Sequence, residues 1–214
     1  MDTRTFSVSL AKNPIIAINI TPGHFTTNNA HTNCYLDVSE LKSDTAIAKD
    51  VAREMAIPYF ASTLIDTIVC MEKMEVIGAY LANELIQDGP SVMNTGRIIH
   101  VTSPINNAYG QLTFPDSALK WINGKNILLL IATVSSGRAL NIALECINYY
   151  GGILTGVSAL YRSSEIKIAQ KVNCLFTADD IPGYKLYDTT SCELCKGGQK
   201  LDAIISSEGY TKFE

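Results

Sequence analysis

Residues 125–152 read KNILLLIATVSSGRALNIALECINYYGG, and the reading of this stretch decides the fold. Residues 126–131 (NILLLI) form an almost continuous apolar run, as expected of a strand buried on both faces. A short hydroxyl-and-glycine turn, ATVSSG, follows at 132–137. Beyond it Ala139, Leu140, Ile142, Ala143, Leu144 and Ile147 recur at helical spacing until Gly151-Gly152 ends the helix. Strand, tight turn and helix in this order gather unpaired backbone N–H groups at a helix N-terminus, where a phosphate can sit. Residues 153–161 are again apolar and rich in β-formers. The unit is therefore a βαβ crossover, and the sheet it belongs to is parallel.

Working outward, residues 14–20 (PIIAINI) read as a strand closed by the turn residues Thr21-Pro22-Gly23. Ser43 or Asp44 caps a helix running to about Met55, with Ile47, Val51 and Met55 on one face and Pro58 as its stop. Residues 67–71 (TIVCM) are a second buried strand. A helix from Met74 to Gln87 ends at Asp88-Gly89-Pro90. Residues 97–101 (RIIHV) read as a strand, and 102–124 as a connection long enough to serve as a lid. A short helix at 166–170 and a closing strand at 172–177 complete the core. Strands alternate with amphipathic helices, which predicts an α/β domain with a mainly parallel sheet of about five strands flanked by helices.

Composition narrows the function. A chain of 214 residues with 47% hydrophobic content can bury one full core, so 1–214 reads as a single domain with a small appendage. The net charge of −4, with no basic patch in the residue order, argues against a nucleic-acid partner. No apolar run reaches the ~20 residues that span a bilayer, and the N-terminus lacks the apolar region of a signal peptide, so no membrane is expected. Six cysteines scattered through apolar contexts suggest reduced thiols and a cytoplasmic location. No P-loop, GxGxxG, HExxH or GxSxG motif is present.

With the motifs in view, the chain resembles the type I phosphoribosyltransferases, and orotate phosphoribosyltransferase in particular. The family's diphosphate signature has four apolar residues, two acids, two further residues, two hydroxyl residues and a glycine. Residues 127–130 match the apolar part and Ser135-Ser136-Gly137 the phosphate turn, while Ile131 and Ala132 stand where the acids belong. Those acids hold the ribose hydroxyls, with magnesium bound nearby, so the resemblance implies Mg²⁺ and the two replacements weaken that implication. Gly23-His24-Phe25 followed by His31-Thr32-Asn33-Cys34-Tyr35 resembles the family's hood, and Cys192-Glu193-Leu194-Cys195 with its glycines resembles the tail of some members. The implied layout is a hood of about 1–40 plus the tail of about 180–214 over a core of about 41–179.

The resemblance assigns a 5′-phosphate to Ser135, Ser136 and Gly137 with backbone at Thr133 and Val134. It offers His24, Phe25, Lys73 and Arg162 as contacts to the base or its loops, and it names no catalytic residue. The turn Met71-Glu72-Lys73-Met74-Glu75 carries bulk and acid where the family places glycine, and the long connection has Lys120 and no arginine where the family's catalytic loop is cationic. A zinc site would need two donors beyond the CxxC pair; Cys174 and His24 are candidates at no recognised spacing, and no metal site is assigned. Two functions stay open. One is an orotate phosphoribosyltransferase-like protein of pyrimidine nucleotide metabolism, taking phosphoribosyl diphosphate or a nucleotide as a homodimer. The other is a non-catalytic nucleotide or sugar-phosphate sensor or regulatory subunit on the same fold.

Overall fold

The computed structural model describes residues 4–27, 30–87, 92–107, 111–163, 170–206 and 209–213. The chain opens with three strands, β1 (Phe6–Leu10), β2 (Asn13–Thr26) and β3 (His31–Asp37). Helices α1 (Ser39–Ser43) and α2 (Thr45–Ala56) follow, then β4 (Thr67–Cys70) and α3 (Glu75–Ile86). Next come β5 (His100–Thr102) and a small hairpin, β6 (Ile105–Asn106) with β7 (Leu112–Thr113). The central crossover is β8 (Asn126–Val134), α4 (Arg138–Tyr149) and β9 (Ile153–Arg162), with β10 (Asn173–Thr177) beyond it. The tail contributes β11 (Leu186–Tyr187), α5 (Glu193–Lys196), β12 (Ala203–Ser206) and β13 (Gly209–Lys212).

Five strands in the order β10-β9-β8-β4-β5 make an all-parallel sheet. Because side chains alternate across a strand, β8 feeds two cores at once. Leu128 and Leu130 point toward α2 and α3, packing with Val51, Met55, Ile77 and Leu81. Ile127, Leu129 and Ile131 point the other way, toward Leu140, Ala143 and Ile147 of α4. All five β8 residues are fully buried, and each such side chain contributes about 1.5–3 kcal/mol. Helix α2 starts where expected, since the Asp44 carboxylate accepts the Ala46 and Ile47 N–H groups at 2.8 and 3.2 Å. Gly78 lets α3 lie against β4, because a Cβ there would sit 2.5 Å from Cys70 Sγ.

The remaining strands form the hood, a sheet in the order β11-β3-β2-β12-β13 with β1 also paired to β2. Here the sequence expectation needs correcting. Thr21-Pro22-Gly23 does not close a strand; β2 runs on through it, paired with β3, and only shifts register between Pro22 and Phe25. Turn-forming residues have been used for a bulge, which tolerates a proline lacking its N–H. The His24 N–H at the bulge donates instead to Asp202 Oδ2 at 2.7 Å, and the Asp202 N–H donates back to the His24 carbonyl. A second correction concerns residues 97–101, of which only His100 and Val101 join β5. Arg97 is drawn off to Asp66 (2.8 Å), whose other oxygen accepts both the backbone and amide N–H groups of Asn126. The helix expected at 166–170 and the helix stop at 88–90 lie outside the described residues, apart from Gln170.

Candidate functional site: a cleft under the hood

The hood faces the C-terminal edge of the parallel sheet across a cleft of about 930 Å³. Ligands of open α/β sheets bind at that edge, where strands end and helices begin. The two turns that build its floor are those after β4 and after β8, while Thr32, Cys34 and Tyr35 of β3 form part of its roof. Among the described residues three cations line it, Lys42, Lys73 and Arg138, against two acids, Glu72 and Glu75. The balance favours an anion.

Ser135, Ser136 and Gly137 join β8 to α4. Gly137 has φ of 75° and ψ of −6°, a left-handed conformation that a side chain opposes, and it serves as the N-cap residue of α4. Among the described residues no side chain caps this helix. The first N–H to bond back along it is that of Asn141, to the Gly137 carbonyl at 2.9 Å. Helical geometry leaves the first N–H groups of such a helix without an intrahelical acceptor, at the positive end of the helix dipole. Ser135, Ser136 and Arg138 all border the cleft. Together these groups can hold a phosphate dianion by hydrogen bonds and charge.

The neighbouring turn is unusual in two ways. Glu72 and Lys73 both adopt positive φ, 55° and 62°, which costs roughly 1–2 kcal/mol per residue with a side chain. The turn thus keeps a shape that suits glycine without having glycine. The Glu72 carboxylate also reaches across to accept the Thr133 N–H at 3.0 Å, while Lys42 Nζ donates to the Glu72 carbonyl at 3.0 Å. Burial pushes the Glu72 carboxyl above the ordinary glutamate range, opposed by the Thr133 N–H, the Lys42 charge and the Ala132 N–H. One carboxylate already occupies backbone donors beside the phosphate turn.

No protein-family model matches the chain, and no curated protein does. Solved structures do. Leishmania donovani UMP synthase superposes with a TM-score of 0.55 at 18% identity, over 76% of this chain and 34% of that one. The fold is that of the type I phosphoribosyltransferases. The chain spans about a third (34%) of that UMP synthase. Mycobacterium tuberculosis orotate phosphoribosyltransferase (TM-score 0.49, 12% identity, 76% and 91% covered) is also similar. So is the adenine phosphoribosyltransferase of Thermoanaerobacter pseudethanolicus (0.47, 14%, 67% and 88%). At 18% identity the likeness is one of fold.

Within this phosphoribosyltransferase-like fold, the signature positions separate. Ile131 is fully buried against α4, whereas Ala132 borders the cleft. Lys73 lines the cleft as well. His24 and Phe25 do not: the former is fully buried, and the latter packs on Tyr35 and Tyr210 inside the hood. Arg162 ends β9 beside Val134, its Nε buried and without a hydrogen-bond partner among the described residues. Lys120 lies over the Trp121 ring at 5.0 Å, and that ring stacks on His100, so the lysine belongs to a surface stack.

Sequence reasoning missed Lys42, Arg138 and Tyr161. Arg138 was findable, being the residue directly after the phosphate-turn glycine. Tyr161 is 1% exposed and borders the cleft, with no well-placed partner for its hydroxyl among the described residues. Burial beside Tyr184 raises its pKa, so it is a donor at any physiological pH.

Proposed function

We propose that the cleft binds a small molecule carrying ribose 5-phosphate, with a pyrimidine nucleotide the first candidate, and that it does so as a sensor or regulatory site rather than by transferring phosphoribosyl groups. The observation that carries this reading is the Gly137-capped N-terminus of α4, opening beside Ser135 and Ser136 into the cleft. The phosphate would lie on the N–H groups of Arg138 and Ala139 and on the two serine hydroxyls, with the Arg138 charge beside it. Thr133 contributes less than the sequence implies, because its N–H is engaged by Glu72. Tyr161 borders the cleft as well, and its hydroxyl would donate to the sugar or base.

The residues present do not fit magnesium diphosphate. Ile131 is inside the core and Ala132 has no ligating atom, so neither can hold ribose hydroxyls or a metal ion. Of the two acids in the cleft, Glu72 accepts backbone N–H groups and Glu75 accepts the Ser103 hydroxyl. Electrostatic stabilisation of a departing pyrophosphate needs donors aimed at it, and one such donor is worth roughly 3 kcal/mol. The turn at 71–75 offers a carboxylate there instead.

The alternative, an active orotate phosphoribosyltransferase, rests on the fold and on the resemblance of hood and tail; the homodimer rests on that resemblance alone and is tested by light scattering. Calorimetry separates the two functions. Uridine 5′-monophosphate and ribose 5-phosphate should bind equally with and without Mg²⁺. Magnesium-dependent binding of phosphoribosyl diphosphate, with conversion of orotate, would establish the enzyme and reject the sensor.

A further inference from the structure

Away from the cleft, four side chains from two distant parts of the chain meet inside the hood. His24 comes from the bulge of β2, His31 from the start of β3, and Cys192 and Cys195 flank the first turn of α5. Their donor atoms all lie within 4.8 Å of one another. The separations are 3.2 Å for His24 Nε2 to His31 Nδ1, 3.5 Å for Cys192 Sγ to His24 Nε2, 3.7 Å for Cys195 Sγ to His24 Nε2, and 3.3 Å for Cys195 Sγ to His31 Nδ1. We propose that these residues form a closed, structural zinc site of two histidines and two cysteines that fastens the tail to the hood.

Geometry is the first support. A tetrahedron with Zn–N of ~2.05 Å and Zn–S of ~2.3 Å has edges of about 3.3 Å between nitrogens and about 3.6 Å between nitrogen and sulfur. The four separations scatter around those edges. Proton chemistry is the second. His24 Nδ1 lies 2.9 Å from the Gln199 carbonyl, which can only accept, so the ring proton sits on Nδ1 and Nε2 presents a lone pair. His31 Nδ1 and both thiols crowd that one lone pair, and protons can satisfy only one of the three approaches. A cation satisfies them all. The Gln199 carbonyl is also the outer partner that a ligating histidine ordinarily has.

Burial is the third support. His24, His31 and Cys192 are buried and Cys195 alone is exposed, so three of the four donors converge where water has little access and the fourth closes the site from the surface. Binding converts two thiols and two neutral imidazoles into a neutral complex, Zn²⁺ + 2 Cys–SH + 2 His → Zn(Cys–S)₂(His)₂ + 2 H⁺, with no change of oxidation state. All four positions come from protein, as in sites that hold structure rather than perform chemistry. The proposal is independent of what the cleft binds.

The test uses the full chain. Purified protein should carry one zinc per chain by elemental analysis. Replacement by Co²⁺ should give the intense visible absorption of a tetrahedral ion together with a thiolate-to-cobalt charge-transfer band. Cys195→Ser and His31→Ala should weaken or shift that spectrum, whereas Cys174→Ser should leave it unchanged. In the unmodified protein, a strong chelator should lower the melting temperature by ~5 °C or more, restored by Zn²⁺. Metal-free protein that gives no cobalt spectrum after thiol reduction would overturn the proposal, as would a Cys192–Cys195 disulfide in freshly purified material or a cobalt spectrum lost equally in Cys174→Ser.

Discussion

Replacing Gly137 by alanine tests both the fold of the phosphate turn and its function. An L-residue at φ of 75° costs roughly 1–2 kcal/mol, while losing glycine's freedom in the unfolded chain offsets about 0.4–1 kcal/mol. The net is a destabilisation of about 1 kcal/mol, or a melting temperature lower by about 2–4 °C in a chain of this length. At an ordinary backbone angle the same change would raise the melting temperature, so the sign alone reports the conformation. Relief of the strain requires the turn to rotate, which re-aims the Arg138 and Ala139 N–H groups. Affinity for uridine 5′-monophosphate should then fall about tenfold or more, equivalent to about 1.4 kcal/mol. Thermal unfolding and calorimetry on the same samples read both effects. A variant as stable as the parent, with unchanged nucleotide affinity, would refute the left-handed turn and its role as a phosphate cradle together.

Glu72→Gln keeps an acceptor for the Thr133 N–H and removes a buried charge. Because burial raises the folded-state pKa above the unfolded value, ionised Glu72 lowers stability at pH 8, and that cost disappears as pH falls toward about 4.3. The variant should therefore melt higher than the parent at pH 8, with the gap closing as the pH approaches 4; a constant gap would contradict the assignment. Tyr161→Phe removes a buried hydroxyl that lacks a well-placed partner, so stability should hold or rise while nucleotide affinity drops, by about 1 kcal/mol for one hydrogen bond. Loss of stability without loss of affinity would remove Tyr161 from the site. Ile131→Asp places a carboxylate in the α4 core and should cost about 3–5 kcal/mol in denaturant unfolding, whereas Ala132, 2% exposed but bordering the cleft, lets an aspartate turn toward the opening and should cost less. Equal losses would show that both positions face the same environment.

Much of the core was legible because its signals are local. The unbroken apolar run of β8, the glycine after two serines and the stripe of α4 each lie within a dozen or so residues, and they identify the crossover and the phosphate turn. Where one residue type serves two purposes, the reading failed. Thr21-Pro22-Gly23 has the chemistry of a turn, yet pairing with β3 and the hydrogen bonds from Asp202 turn it into a bulge. Arg97 looks like the first residue of a strand until Asp66, 31 positions away, claims it. The floor of the cleft was harder still, since the contact of Glu72 with Thr133 spans 61 positions. Farther apart again are the hood donors, with 168 positions between His24 and Cys192. No spacing rule searches a histidine pair and a cysteine pair that far apart.

The parallel pairing of β12 with β2 also sets an order of events during synthesis. The sheet of β4, β5, β8, β9 and β10 is complete once residue 177 has emerged, and it can collapse around its own helices. The hood has to wait. Until Asp202 meets His24, 178 positions back, the end of β2 at Phe25 and Thr26 offers unpaired backbone on one side to any passing strand. Synthesis halted before residues 203–206 emerge would leave a core able to form and a sticky half-built roof above it. Mutations that slow the tail's arrival should therefore show themselves first as aggregation, well before they register as lost binding.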